Sequence, residues 1–291
     1  MSMASDKRMK QALMIPVVAY ILIIAIFPLF FSLYMMLSQW NPGTVGIQFV
    51  GLKNIKAVMH DARFFHSLWL TFMYVAMLLS AEVTIGIIIA MLLQKDLKGK
   101  NFFRITYMLP MLLAPVAVSY GWKMLYDYLR GPFNYFLSLM GFKPVEWLTG
   151  KFTPVLSLVI VDIWQWTPFL ILTFLAAFEA LPEELFEAAV VDGGTPLSIF
   201  RKITLPLAMP VMITIILLRT IDAFKVFDTV YILTGGGPGT ATEVLNFYIY
   251  LKGFRAFDLG YGTAMSWIQL IIIIIMFTFF IRTLKRIGAM R

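Results

Sequence analysis

Residues Glu187 to Pro206 read EAAVVDGGTPLSIFRKITLP, a polar, charged island between two strongly apolar segments. Glu183, Glu184, Glu187 and Asp192 precede it or lie in its first half, and Arg201 and Lys202 close it. Leu181-Pro182-Glu183-Glu184 reads as a helix start, with proline early and acids at the positive end of the helix dipole. Leu185, Phe186, Ala188, Ala189 and Val190 give that short helix an apolar flank. Gly193-Gly194 stops it. Thr195-Pro196 starts a second helix, with Thr195 as N-cap and Pro196 in the first turn. Pro206 and Pro210 are expected to separate this second helix from the next apolar span. The pattern predicts two short amphipathic helices joined by a glycine elbow, held outside a bilayer between two spans.

The bilayer follows from composition. Of 291 residues, 60% are hydrophobic, 15% aromatic and only 14% charged. Such a chain is a polytopic membrane protein rather than a soluble domain, with aromatics suited to interfacial belts. The net charge of +8 is not a nucleic-acid signal here, because basic residues of membrane proteins mark loops facing the cytoplasm. Cysteine is absent, which excludes disulfides and thiol chemistry. His60 and His66 sit in one loop, and no cluster of metal ligands or catalytic triad emerges, so no enzyme is read in this chain. Lys7-Arg8-Met9-Lys10 before an apolar run resembles a signal peptide. The run is too long and lacks a small-residue cleavage site, so it reads as an uncleaved first span.

A span needs about 20 apolar residues. Six candidates fit, at about 11–37, 66–93, 105–124, 154–178, 207–233 and 262–281, with the stretch 182–206 between the fourth and fifth. Pro16 and Pro28 mark kinks in the first, and Pro110 and Pro115 lie in the third. An outer loop opening with Trp40-Asn41-Pro42-Gly43 follows the first span. A basic loop with Lys95, Lys98, Lys100 and Arg104 follows the second. With the amino terminus inside, the inner side carries 13 Lys and Arg and the outer side 10. The inner loops are shorter, so basic density near the span ends sets the orientation, with both termini and the 182–206 stretch in the cytoplasm. No tandem repeat or separate soluble domain is visible, so residues 1–291 read as one all-α membrane domain.

The spacing within the opening stretch is specific. Glu187-Ala188-Ala189, three residues, Gly193, nine residues and then Ile203-x-Leu205-Pro206 resembles the EAA loop of ABC importer permeases. Asp192 before the glycine and Phe200-Arg-Lys-Ile-Thr-Leu-Pro after it resemble the carbohydrate-uptake branch. So do Tyr231-Ile-Leu-Thr-Gly-Gly-Gly-Pro, Thr242-Glu243 and Gly260-Tyr-Gly-Thr-Ala-Met. The glycine run lacks the Lys-Ser/Thr ending of a phosphate-binding loop. The resemblance implies that the loop is a coupling helix docking on a cytoplasmic ATPase through Glu187, Ala188, Ala189, Asp192 and Gly193. It implies a second, similar permease, two ATPase subunits holding Mg-ATP, an external solute-binding protein and a prokaryotic cytoplasmic membrane. No cofactor is implied in this chain itself.

Ionisable residues inside spans are expensive in lipid and face a cavity or a partner. Glu82 is alone in the second span, where it either serves a path or merely pairs between helices. Asp162 is followed by Trp164, Gln165, Trp166 and Pro168. Pro168 frees the carbonyl of Trp164, which favours a local irregularity lining a cavity. In the fifth span Arg219, Asp222, Lys225 and Asp228 recur every three residues with alternating sign, a spacing that allows pairing. At about 1.5 Å per residue, Arg219 lies about 14 Å from Pro210, and Trp166 about 18 Å from Phe178. Both depths are near the middle of a core about 30 Å thick. Arg219 is expected to be held by Asp222 or by Asp162 and to offer its remaining donors to a solute. Aromatic faces suit sugar rings, and Asp, Gln and Arg suit hydroxyls. By resemblance to maltose-type permeases, the sugar-contacting positions match Asp162, Gln165, Trp166 and Phe169, and Arg219, Ala223 and Val226, with Asp222 beside them.

These readings predict the transmembrane subunit of an importer for a sugar such as trehalose, maltose, a related disaccharide or a polyol. Glycerol phosphate is the alternative solute. An ion-coupled carrier using Asp162, Arg219 and Asp222, or an integral membrane enzyme, would leave the coupling stretch unexplained.

Overall fold

The computed structural model describes residues 3–40, 42, 46–94 and 99–286. Asn41 and Gly43 of the outer loop, Lys95 and Lys98 of the basic loop, and Arg291 lie outside the described residues. So do the side chains of Lys7, Arg8, Lys10, Lys100, Lys285 and Arg286.

The described elements are helical apart from a minimal hairpin, in which β1 (Ser38–Gln39) pairs antiparallel with β2 (Gln48–Phe49). Among the described residues, five helical segments are long and apolar enough to cross a membrane: Leu13–Met36, Ala62–Leu93, Thr153–Glu179, Pro196–Leu233 and Leu259–Arg282. A sixth is a pair of helices, Phe102–Leu112 and Pro115–Leu125, bent by 96°. The chain is thus all-α and polytopic, with the third expected span broken. The backbone at the break suits its proline. Ala114 precedes Pro115, and both Leu113 and Ala114 are extended, as the residue before proline prefers.

The chain forms two compact units, residues 1–64 with 248–272, and residues 65–247 with 273–291. In the first unit, α1 (Met3–Ile21) passes through a wide turn at Leu22–Ile26 into α2 (Phe27–Met36), with an almost wholly exposed apolar surface, as a lipid-facing span requires. Pro28 is the second residue after that turn. The hairpin and α3 (Lys53–Met59) come next, where Asn54 donates to the carbonyls of Met36 and Ser38 at 3.0 and 2.8 Å. Asp61 accepts from the hydroxyls of Tyr248 and Tyr261, each at 2.6 Å, tying α13 (Leu245–Tyr250) and the start of α14 (Leu259–Arg286) to it.

The second unit is built on α4 (Ala62–Leu93), α5 (Lys100–Leu112), α6 (Pro115–Leu125), α7 (Pro132–Leu139) and α8 (Thr153–Glu179). After them come α9 (Glu183–Val191), α10 (Pro196–Ile199), α11 (Leu205–Ala223) and α12 (Asp228–Leu233). Its core lies where α4, α8 and α11 meet, around Ala90, Leu170, Phe174, Phe178, Ala208 and Met212. Lipid is as apolar as these side chains, so close packing rather than hydrophobic expulsion joins them. Gly86 shows how close. A Cβ there would stand 3.2 Å from both Leu170 and Phe174, so only hydrogen lets α4 approach α8.

Two helix boundaries differ from expectation. Pro206 and Pro210 do not separate the second short helix of the 182–206 stretch from the fifth span. α10 runs through a wide turn at Phe200–Thr204 into α11, with the Leu205 amide reaching back five residues to the Phe200 carbonyl. The wider turn relieves the clash a proline ring makes with the carbonyl four residues back. Conversely, the fifth span is not one helix. α11 ends at Ala223, and α12 restarts at Asp228. Nor does Pro168 produce an irregularity, since α8 is continuous from Thr153 to Glu179 with Pro168 inside it.

Candidate functional site: a buried charge cluster beside a polar cavity

Arg219 is the centre of the site. Its side chain is 2% exposed, and it is met by carboxylates from three helices. Glu82 of α4, fully buried, accepts from Nε at 2.9 Å and from Nη2 at 3.0 Å. Asp162 of α8 accepts from Nη2 at 2.5 Å, and Asp222, one turn along α11, accepts from Nη1 at 3.2 Å. The Tyr74 hydroxyl donates to the other oxygen of Asp162 at 2.6 Å. The guanidinium also lies over the Trp166 ring, 5.6 Å from its centroid, in a cation–π contact. A guanidinium has five N–H donors, and four of Arg219's are spent on carboxylates.

The sequence offered Asp222 or Asp162 as alternative partners. The structure uses both and adds Glu82 as the bidentate one. Glu82, flagged in the second span as either serving a path or pairing between helices, pairs with a basic group of another helix, and Tyr74 is the residue the sequence reading missed. The signal for that pairing was the isolation of Glu82, because a lone acid in lipid calls for a cation from another span. The i,i+3 ladder holds as far as Lys225, whose Nζ is 3.8 Å from Asp222. It stops there because the helix breaks before Asp228.

A cavity of about 160 Å³ opens beside this cluster. Asp162, Gln165, Trp166, Arg219, Asp222, Ala223 and Val226 all border it, so seven of the eight expected path residues come together. Phe169 does not. It is partly buried against the apolar core instead. Both helix breaks border the cavity as well, through Pro115 on one side and Lys225 to Thr229 on the other. Gln165 joins them, because its Nε2 donates to the carbonyl of Leu113 at the 96° bend, at 3.1 Å. The bend thereby has a partner for a backbone group that lipid could not satisfy.

The stretch 182–206 is formed as its residues dictate. Gly193 has φ +78°, the left-handed region. The Gly194 amide donates to Ala189 O at 2.8 Å and the Gly193 amide to Val190 O at 3.0 Å, the paired bonds of a Schellman cap. Thr195 caps α10 by accepting from the Ser198 amide at 3.3 Å. Glu187, Ala188, Asp192 and Gly193 are exposed and Ala189 half-buried. Val190 and Val191 are also exposed, at 64% and 86%, which leaves the end of the apolar flank of α9 uncovered within this chain. Just before it, Glu179 at the end of α8 is bridged to Arg104 of α5 at 2.9 Å. Among the described residues no group of His, Cys, Asp and Glu could hold a metal ion.

Comparison with known proteins places this architecture. Residues 55–288 match the family described as binding-protein-dependent transport system inner membrane component. The probable ABC transporter permease protein y4oQ of Sinorhizobium fredii is 37% identical over 89% of this chain and 84% of its own. The trehalose/maltose transport system permease protein MalF of Thermococcus litoralis is 34% identical over 92% and 91%. A permease chain in the crystal structure of a bacterial ABC transporter involved in the import of the acidic polysaccharide alginate has the same fold. It aligns with a TM-score of 0.86 over 97% of both chains, at 21% identity. The chain is therefore a membrane-embedded transport subunit without ATPase machinery of its own, and it belongs to the binding-protein-dependent transport system inner membrane component family, the permease subunits of ABC importers.

Proposed function

We propose that this chain, residues 1–291 acting as one permease domain, forms half of the translocation path of an ATP-driven sugar importer. The carrying observation is the cavity at Arg219. Trp166 offers an aromatic face, and Asp162, Gln165 and Asp222 offer polar groups, on α8 and α11 of a membrane-spanning subunit. Trehalose, maltose or a related disaccharide or polyol suits that lining, and the names of the relatives support the same class. The partners in this reading are a second, homologous permease, two cytoplasmic ATPase subunits carrying Mg-ATP, and an external solute-binding protein. A related alginate transporter has been solved in complex with a periplasmic protein, which supports the last of these. Both termini and the coupling stretch face the cytoplasm, and Glu187, Ala188, Ala189, Asp192 and Gly193 meet the ATPase. The uncovered end of the apolar flank of α9 supports that docking, as does its row of exposed acids.

The elbow provides the test. A Cβ on Gly194 would stand 2.6 Å from the Ala189 carbonyl oxygen, the atom its own amide bonds. Gly194→Ala therefore displaces α10 from α9 or strains the elbow by about 1–3 kcal/mol, while leaving the spans intact. The expected result in reconstituted vesicles is normal insertion with most sugar-stimulated uptake lost. Gly193→Asp meets open space at its Cβ, so its loss would come from φ +78° and from a charge at the ATPase surface. Normal coupled uptake in both variants at normal expression would remove the stretch from the ATPase interface.

A further inference from the structure

We infer that the cavity is selective for uncharged solutes, and that Glu82, which lies outside its lining, is a specificity-determining residue acting through Arg219. The inference rests on the sugar reading above and narrows it to neutral sugars.

The cavity wall carries three carboxylates, Asp162, Asp222 and Asp228, against two cations, Arg219 and Lys225. Glu82 adds a fourth carboxylate immediately behind Arg219. The surroundings thus carry an excess of negative charge. More decisive is the state of the cations. A phosphate or carboxylate in a desolvated site needs a guanidinium fork or an ammonium to replace its water. Arg219 has both edges of its fork committed, one to Glu82 as a bidentate pair and the other shared between Asp162 and Asp222. Lys225 is 60% exposed and lies 3.8 Å from Asp222. An anion entering the cavity meets acids and cations already neutralised. A hydroxyl group pays no such penalty, because it can donate to the same carboxylates and accept from the remaining Arg219 N–H. Rejection by placed like charge discriminates without weakening the binding of the accepted solute. Glu82 is the residue that makes Arg219 unable to serve an anion while taking no part in the wall itself.

The measurement is saturation-transfer NMR on the full chain in lipid nanodiscs, with two probes that differ by one phosphate, trehalose and trehalose 6-phosphate. Wild type is expected to bind trehalose and to reject the phosphate ester. Glu82→Gln keeps the shape of the side chain and releases one edge of the Arg219 fork. Asp222→Asn releases Nη1 and Lys225. Each should raise affinity for trehalose 6-phosphate about tenfold, the scale of one charge interaction at intermediate dielectric, and raised salt should abolish the gain. A purely structural role for Glu82 would not produce salt-sensitive anion binding. If Glu82→Gln is not recovered folded, Glu82→Asp, which draws the carboxylate back from Arg219, carries the test of Glu82, and Asp222→Asn, whose side chain is 50% exposed, tests the charge filter. Equal binding of both probes by wild type, or continued rejection of the phosphate ester by the folded variants, overturns the inference. Wild type that binds neither probe, with variants that gain the phosphate ester, would keep the charge filter and overturn the sugar reading.

Discussion

Arg219→Met is the sharpest perturbation of this fold, because it removes a positive charge that three carboxylates share. Methionine roughly fills the aliphatic part of the side chain, so the cost is electrostatic rather than a cavity. The Asp222 share is small. Its side chain is half exposed, and such pairs contribute about 0.2–1 kcal/mol. Glu82 and Asp162 are different, at 0% and 6% side-chain exposure. Glu82 loses the two donors that hold its two oxygens, and Asp162 keeps only Tyr74. Removing one partner of a buried pair costs about 3–5 kcal/mol, since the orphaned charge stays desolvated. Thermal unfolding of the purified chain should therefore show a large loss. The order of rescue is diagnostic. Arg219→Gln with Asp162→Asn leaves Glu82 unanswered and should recover little. Adding Glu82→Gln should recover most of it, because the buried charges are then removed together. Uptake that stays low in the stable triple variant would assign Arg219 a solute contact as well. A loss below about 1 kcal/mol in Arg219→Met, or full rescue by the pair without Glu82, would refute a three-carboxylate clamp.

Gln165→Leu removes the donor that satisfies Leu113 O at the bend and should cost about 1–3 kcal/mol, with faster hydrogen exchange at the first turn of α6. Unchanged exchange there would show that the bend stands without Gln165. Asp61 concerns the other unit. Burial raises its carboxyl, but hydrogen bonds from Tyr248 and Tyr261 and from the amides of Arg63 and Phe64 outweigh this and hold it below its ordinary 3.8. A depressed carboxylate stabilises the fold fully above its ordinary value, and that contribution is lost as pH falls through the lower one. Thermal unfolding between pH 6 and 3 should show an acid-side loss that Asp61→Asn lacks, and an identical slope in the variant would contradict this.

The spans were readable because about 20 apolar residues have few other destinations. The elbow was readable because Gly193-Gly194 and Thr195-Pro196 act on their own backbone. What stayed hidden was set by neighbours. Pro110 and Pro115 look alike in sequence, yet α5 continues through Pro110 and the chain breaks at Pro115. The difference visible in the fold is Gln165, from another helix, which gives the Leu113 carbonyl at the break a partner. The wide turn before Pro206 was invisible for a related reason, because a helix can widen by one residue instead of stopping. Glu82 could be seen as unusual but not assigned, since nothing local says which helix faces α4.

The cavity sits where the backbone is interrupted, and this explains its position better than any single side chain does. Inside a membrane, irregular backbone is tolerated only where protein or a polar cavity can satisfy it. Two interruptions meet here, at Leu113–Ala114 and at Phe224–Phe227, and they reach the same cavity through Pro115 and through Lys225 to Phe227. Continuous α8 lies against them and supplies Asp162, Gln165 and Trp166. The sequence suggested a local irregularity in α8 at Pro168. Instead the breaks lie in the helices facing it, so α8 keeps its polar residues in fixed register while the partners bend. A buried ion pair is a poor source of stability compared with apolar packing. Its retention at the junction of α4, α8 and α11 is better explained by what it specifies. It fixes which faces of three otherwise slippery apolar helices meet, and it leaves a wall of committed charge beside two interruptions of the helical backbone.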